Sequence, residues 1–265
     1  MNLMQRKINE SYILFKDWWE SIELTNCEKY LLNKEIINFN QQLVRVRERK
    51  IRIGAFGKAG VGKSSILNNI VKENFFKTGI LNGSTLNLQS KELTLENSSI
   101  KTIELLDSPG FDICNPSNQE ESLTSFLSLD LILFITSGDL NRKELDNLLF
   151  LIKEGKNIII ILNKIDIWTR NEVIDIKNKI MDKLPLKSQI SIITYSSKTT
   201  NLSKLNKIYN YLKNTLERIG YSLLIYNTYR IANKLALSIK ETRLIKGKHK
   251  AQTLIGKFAT LKASS

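Results

Sequence analysis

The 265-residue chain holds a single histidine, His249, and two cysteines, Cys27 and Cys114. One histidine argues against zinc sites built on histidine pairs and against serine or cysteine nucleophiles activated by histidine. Two cysteines without metal-ligand spacing do not make a disulfide framework, so a reducing compartment such as the cytoplasm is expected. No stretch reaches the about 18 consecutive apolar residues of a membrane-spanning helix. The start, Met1-Asn2-Leu3-Met4-Gln5-Arg6-Lys7, lacks the apolar run of a secretory signal. Only three prolines occur beside abundant Ile, Asn and Lys, a bias that an AT-rich coding sequence produces. What is present is an ordinary apolar fraction of 42%, enough for a buried core. Lys and Arg outnumber Asp and Glu by 40 to 26, a formal net charge of +14. That excess points to acidic partners, RNA or an anionic membrane face, or else to a plain basic, solvated surface.

The chain divides into three stretches by pattern. Residues 1–48 read as helical, with a first helix over about residues 10–23. Thr25-Asn26-Cys27-Glu28 fits a capping box, the Thr25 hydroxyl at the cap and Glu28 reaching back. The helix that follows puts Leu32, Ile36, Phe39, Leu43 and Val46 on one stripe. The stripe is about two heptads long, which favours packing on the neighbouring domain over a coiled coil. Trp18 and Trp19 are candidate core or interface anchors.

Residues 49–218 alternate short apolar runs with helical stretches. The runs at 51–56, 103–106, 131–135, 158–162 and 190–194 are rich in Ile, Leu and Phe, as strands buried on both faces are. Strands alternating with helices predict βαβ units and a mostly parallel sheet, with residues 92–95 as a candidate antiparallel edge strand. Residues 219–265 become helical again and carry nine Lys/Arg against one acid, Glu241.

Three motifs sit at strand ends. Gly57-Lys58-Ala59-Gly60-Val61-Gly62-Lys63-Ser64 has the form GxxxxGK[ST] between a strand and a helix that continues through Ser65. Glycines let the backbone N–H groups wrap phosphates without Cβ clashes, and the helix N-terminus adds partial positive charge. Lys63 would reach the β- and γ-phosphates, and the Ser64 hydroxyl would bind Mg²⁺. Asp107-Ser108-Pro109-Gly110 follows the second run. Its Asp107 is placed to hold Mg²⁺ through water and its Gly110 N–H to meet a γ-phosphate, although such a tetrad also fits an ordinary turn. Asn163-Lys164-Ile165-Asp166 follows the most apolar run. The Asp166 carboxylate can accept from guanine N1–H and N2–H₂, a donor pair that adenine lacks. The Lys164 stem would stack on the base, and Asn163 would tie this loop to the phosphate loop. Ser196-Ser197-Lys198 offers backbone N–H groups to the guanine O6, but three residues fit a generic loop nearly as well.

The order and spacing of these motifs over residues 50–218 resemble the translation-factor-class GTPases, and more closely their Era-like branch. Lys77-Thr78-Gly79-Ile80-Leu81-Asn82-Gly83-Ser84-Thr85 and Asp130-Leu131-Ile132-Leu133-Phe134-Ile135-Thr136-Ser137-Gly138-Asp139 are further similar to Era-like GTP-binding proteins of cyanobacteria and plastids. The resemblance implies a three-layer α/β P-loop GTPase fold with a mostly parallel six-stranded sheet, flanked by N- and C-terminal helical segments. It implies GTP or GDP with Mg²⁺ as ligands, and a location in cytoplasm or plastid stroma, peripheral to a membrane in one reading. It makes Thr85 the residue that positions water and completes the Mg²⁺ shell, with Thr78 and Ser84 as rivals. In that group a basic segment like residues 247–265 leads into a further hydrophobic domain, and the sequence stops where that domain would begin, as in a shortened member or a fragment.

The resemblance also sets an expected rate. Many such enzymes carry a glutamine after the Asp-x-x-Gly motif, where this chain has Phe111. Some bind K⁺ through a phosphate-loop asparagine, where this chain has Gly60. Both departures predict slow hydrolysis, raised by a homodimer or an activating partner. For the basic C-terminal segment, two partners stay open. Lys246-Gly247-Lys248-His249-Lys250 beside Ala251, Leu254, Ile255 and Phe258 suits an anionic membrane surface. The same charge suits RNA or a ribosomal particle, and a helix packed with a solvated basic face is the plain alternative.

Overall fold

The computed structural model describes residues 3–77, 89–96, 98–107, 128–185, 190–196 and 202–263, the side chains of residues 3, 202–205, 249–251 and 253–263 excepted. Thr78, Ser84, Thr85, Ser108, Pro109, Gly110, Phe111, Ser197 and Lys198 therefore lie outside the described residues. The elements run α1 Leu3–Glu20, α2 Asn26–Leu31, α3 Asn33–Glu48, β1 Lys50–Phe56, α4 Lys63–Val71, β2 Gln89–Thr94, β3 Thr102–Asp107 and β4 Leu131–Thr136. They continue with α5 Arg142–Lys153, β5 Ile158–Leu162, a 3₁₀ turn Ile165–Ile167, α6 Arg170–Asp182, β6 Ser191–Thr194 and α7 Leu202–Ala263.

The strands form one six-stranded sheet in the order β2-β3-β1-β4-β5-β6. Among the described strands only β2 is antiparallel, pairing Glu92 with Glu104 on β3. Its half-exposed alternation is that of an edge strand, whereas β4 and β5 are buried at every position. Alternate side chains of these strands point to opposite faces. Ile132, Phe134, Ile158, Ile160 and Leu162 pack with Leu148, Leu151, Ile176 and Ile180 of α5 and α6. Their neighbours Leu133, Ile135, Ile159 and Ile161, facing the other way, are buried too. Burial on both faces is what a parallel sheet requires, and it explains why these strands read as continuous apolar runs. This is the α/β architecture expected from the sequence.

By its contacts the chain falls into two compact units, residues 1–5 with 48–224 and residues 6–47 with 225–265. The helical stretches at the two ends thus belong to one unit. The division at 224/225 falls within α7, a helix of 62 residues, six residues beyond the boundary expected at 218. α1 begins at Leu3, earlier than the pattern suggested. The Thr25 capping box is present, with Glu28 N–H donating to Thr25 Oγ1 and Thr25 N–H donating to Glu28 Oε2. The α3 stripe has a different partner from the one expected. Leu32, Phe39 and Leu43 pack with Ile231, Ala232, Leu235 and Ile239 of α7, so the stripe meets the chain's own C-terminal helix. Trp18 and Trp19 are half-buried and set their rings edge-on to Phe39, at 5.4 and 5.6 Å between centroids.

Two polar contacts lock this helical unit. Gln42 Nε2 donates to Thr228 Oγ1 at 2.9 Å, with both side chains fully buried, and Arg45 Nε donates to Gln42 Oε1 at 3.0 Å. Arg243 Nε donates to Glu28 Oε1 at 3.1 Å, and its Nη2 donates to the Glu23 carbonyl. Hydrogen bonds from the Thr25 backbone and side chain, then the Arg243 guanidinium, hold the Glu28 carboxyl down to about 2. The folded value is the lower one, so the contribution of Glu28 to stability is complete above the ordinary carboxylate range. It is lost as pH falls from there toward about 2. Glu28→Gln keeps a capping-box residue without the charge. Chemical denaturation followed from neutral to acid pH is expected to show a shallower acid loss of stability in Glu28→Gln than in the wild type.

Candidate functional site

The phosphate loop, Asp107, the Asn163–Asp166 loop and Ser196 stand at or just beyond the carboxyl ends of β1, β3, β5 and β6, and so share the carboxyl edge of the sheet, where ligands of open parallel sheets bind. The phosphate loop leaves β1 at Gly57, whose φ is 152°. A Cβ at this position would lie 2.2 Å from the Ile135 carbonyl oxygen of β4. Gly60 (φ 78°) and Gly62 (φ 95°) also occupy the left-handed region that glycine adopts without strain. Gly62 caps α4 with no side-chain hydrogen bond, whereas α2, α5 and α6 each start on a capping box. The first N–H groups of α4 therefore face the loop without a side-chain acceptor, as an anion site needs.

Lys63 is buried and curls back along the loop, its Nζ donating to the Gly57 and Lys58 carbonyls at 3.1 Å each. Ser64 Oγ donates to Asp107 Oδ2 at 2.5 Å, and Asp107 is fully buried. A hydroxyl from the start of α4 and a carboxylate from the end of β3 form a hard-oxygen donor set, which fits Mg²⁺. Among the described residues no cluster of three His, Cys, Asp or Glu side chains forms a separate metal site.

The base loop is stitched to the phosphate loop. Asn163 is fully buried, and its Nδ2 donates to the Val61 carbonyl at 2.8 Å. Its own N–H donates to the Thr136 carbonyl at 2.8 Å. Lys164 takes φ 58°, which turns the chain into the 3₁₀ turn and leaves the Asp166 carboxylate exposed to solvent. Ser196 Oγ donates to Asp166 Oδ1 at 2.5 Å. The sequence suggested a backbone role for Ser196, and the structure adds a side-chain one.

Three further contacts shape the site. Asn68, buried on α4, clamps Phe76 with two bonds: its Nδ2 donates to the Phe76 carbonyl at 2.8 Å, and Phe76 N–H donates to its Oδ1 at 2.7 Å. Asn69 Nδ2 donates to Tyr195 Oη at 3.0 Å, tying α4 to the end of β6. Burial pushes the Tyr195 hydroxyl above its usual range, against the opposing effect of Asn69. Trp168 Nε1 donates to the Ser137 carbonyl at 3.2 Å, so the base loop is also pinned to the loop after β4. A pair of amides in an apolar helix was the one visible sign of the first two contacts. Nothing local marked the third.

A family model described as 50S ribosome-binding GTPase matches residues 52–164, from β1 through Lys164. A solved structure of Era in complex with MgGDPNP and nucleotides 1506–1542 of 16S ribosomal RNA is 26% identical. It matches with a TM-score of 0.52 over 63% of this chain and 56% of its own. The chain carries an Era-like P-loop GTPase domain. A variant of Aquifex aeolicus Era bound to GDP·AlF₄⁻ shares the fold, at 24% identity and a TM-score of 0.53 over 63% of this chain and 56% of that one. Among curated relatives, the tRNA modification GTPase MnmE of Thermoanaerobacter sp. (strain X514) is 25% identical over 243 residues, 88% of this chain and 47% of that protein. GTPase Der of Nautilia profundicola is 31% identical over 121 residues, 44% of this chain and 26% of that protein. The chain thus spans about half of MnmE's length and about a quarter of Der's. The donor set of its Era-like domain is that of a guanine nucleotide with Mg²⁺.

The glycines of the loop are not equivalent. Gly60→Ala meets nothing within 4 Å, so its cost is the left-handed backbone alone, about 1–2 kcal/mol. Gly57→Ala adds the clash with the Ile135 carbonyl and is expected to destabilise far more. Asn163→Ala leaves the Val61 carbonyl without this bond, a loss of about 1–3 kcal/mol. Denaturant unfolding of the three variants is expected to rank Gly57→Ala as the most damaging.

Proposed function

We propose that this chain binds GTP with Mg²⁺, hydrolyses it slowly to GDP and phosphate, and works as a nucleotide-dependent switch at an anionic surface. The observation that carries the reading is the assembled edge. Lys63 and the α4 amides meet the Ser64–Asp107 pair on one side and the Asn163–Asp166 loop on the other. Lys63 and the loop N–H groups stabilise charge on the γ-phosphoryl oxygens as it is transferred. Ser64 and Asp107 hold Mg²⁺, which when bound neutralises charge on the β- and γ-phosphates. Asp166 accepts from guanine, with Ser196 Oγ fixing its carboxylate. Thr85 orients water through its carbonyl, and the Gly110 N–H reads the γ-phosphate.

The slow rate rests on Phe111, which offers no hydrogen bond to water, and on Gly60, which has no side-chain oxygen for K⁺. A homodimer or an activating partner would then supply the missing group. The surface reading rests on the excess of eight positive charges in residues 219–265. The protein would act inside a reducing compartment, cytoplasm or plastid stroma, peripheral to a membrane. RNA is the second reading, favoured by the rRNA-bound Era structure and by the tRNA-modifying relative. Co-sedimentation with anionic vesicles and with ribosomal particles across a salt series separates the two.

Phosphate release by the dilute chain in Mg²⁺ is expected to be slow and to rise when the partner surface is added; fast turnover by the isolated chain would refute the slow switch. Xanthine replaces the guanine N2–H₂ donor with a carbonyl, so Asp166→Asn is expected to weaken GTP binding by about 10–100-fold and to improve XTP binding. Competition titration of the two nucleotides measures this.

A further inference from the structure

Within the helical unit, α7 is apolar on two opposite sides. Ile231, Leu235 and Ile239 are buried in the core of that unit. On the other side Tyr226, Leu237 and Leu244 stand 49%, 51% and 55% exposed. The steps of eleven and seven residues between them are three and two helical turns, so the three side chains share one line. A helix with a second apolar stripe needs a second partner. Lys234, Lys240 and Lys248 are exposed on the same stretch, and Glu241 is the one carboxylate among residues 226–248.

We propose that this outer face of α7 docks onto an anionic phospholipid surface. The leucines enter the boundary between headgroups and acyl chains, and the lysines meet the lipid phosphates. The proposal rests on the anionic-surface reading above and names the face that makes the contact. The mixture of side chains selects the occupant. RNA would engage the lysines but leave Leu237 and Leu244 in water. A second copy pairing through this face would set lysines against lysines. A negatively charged lipid interface accommodates both kinds of side chain at once.

The test is flotation of the full chain with vesicles of phosphatidylcholine, with and without phosphatidylglycerol. Binding is expected only with phosphatidylglycerol present. The double variant Leu237→Ser/Leu244→Ser is expected to weaken it by about tenfold or more, with GTP affinity and far-UV circular dichroism unchanged. Lys234→Gln/Lys240→Gln is expected to weaken it and to flatten its salt dependence. A Leu244→Trp variant keeps the face apolar and reports insertion, and a blue shift of its added emission on anionic vesicles is expected. Vesicle binding that persists unchanged in the double leucine variant, or no shift from Leu244→Trp, overturns the assignment of this face while leaving the surface reading intact. No binding of the wild type to anionic vesicles overturns both. Loss of self-association or of RNA binding in the leucine variant, with vesicle binding unaltered, gives the face to that other partner.

Discussion

The active edge depends on one close approach. At Gly57 the backbone of β1 turns so near the Ile135 carbonyl of β4 that no side-chain carbon fits between them. This contact sets the height at which the phosphate loop leaves the sheet and the direction in which α4 starts. Because α4 begins on Gly62 without a side-chain cap, its first amides point at whatever the loop encloses. Lys63, the first residue of that helix, then lies inside the loop rather than outside it.

The remaining parts of the site are fastened to this loop by contacts between distant segments. Asn163 reaches across 102 residues to the Val61 carbonyl, and Ser64 reaches across 43 to Asp107. Ser196 fixes Asp166 from a further strand end, and Asn69 joins α4 to Tyr195. Preorganised polar groups of this kind cost no rearrangement when charge develops. The electrostatic work of the site is therefore divided. In the proposed function the loop and Lys63 would take the phosphate, the Ser64–Asp107 pair the cation, and Asp166 the base.

Much of this was legible in the sequence, for identifiable reasons. β5 is five consecutive apolar residues because both its faces are covered, and β2 stood apart because an edge strand alternates. The phosphate loop was legible because its glycines answer a backbone demand that other residues meet only with strain. The Asn163 tie was legible because buried amides must find partners. Non-local pairings were harder. The α3 stripe was visible, but its partner on α7 was not, since α7 is apolar on two sides and shows no single period. The Asn68–Phe76 clamp and the Trp168–Ser137 bond end on backbone groups, which carry no residue identity for a sequence to reveal.

Trp168 has one more consequence. Its indole lies two residues beyond Asp166 and is bonded to the loop after β4, while Trp18 and Trp19 belong to the helical unit. The nucleotide site therefore contains a native fluorophore whose N–H is held by a neighbouring loop. A rearrangement of the base loop that breaks this bond would change the solvation of that ring, which makes its emission a label-free probe for ligand occupancy.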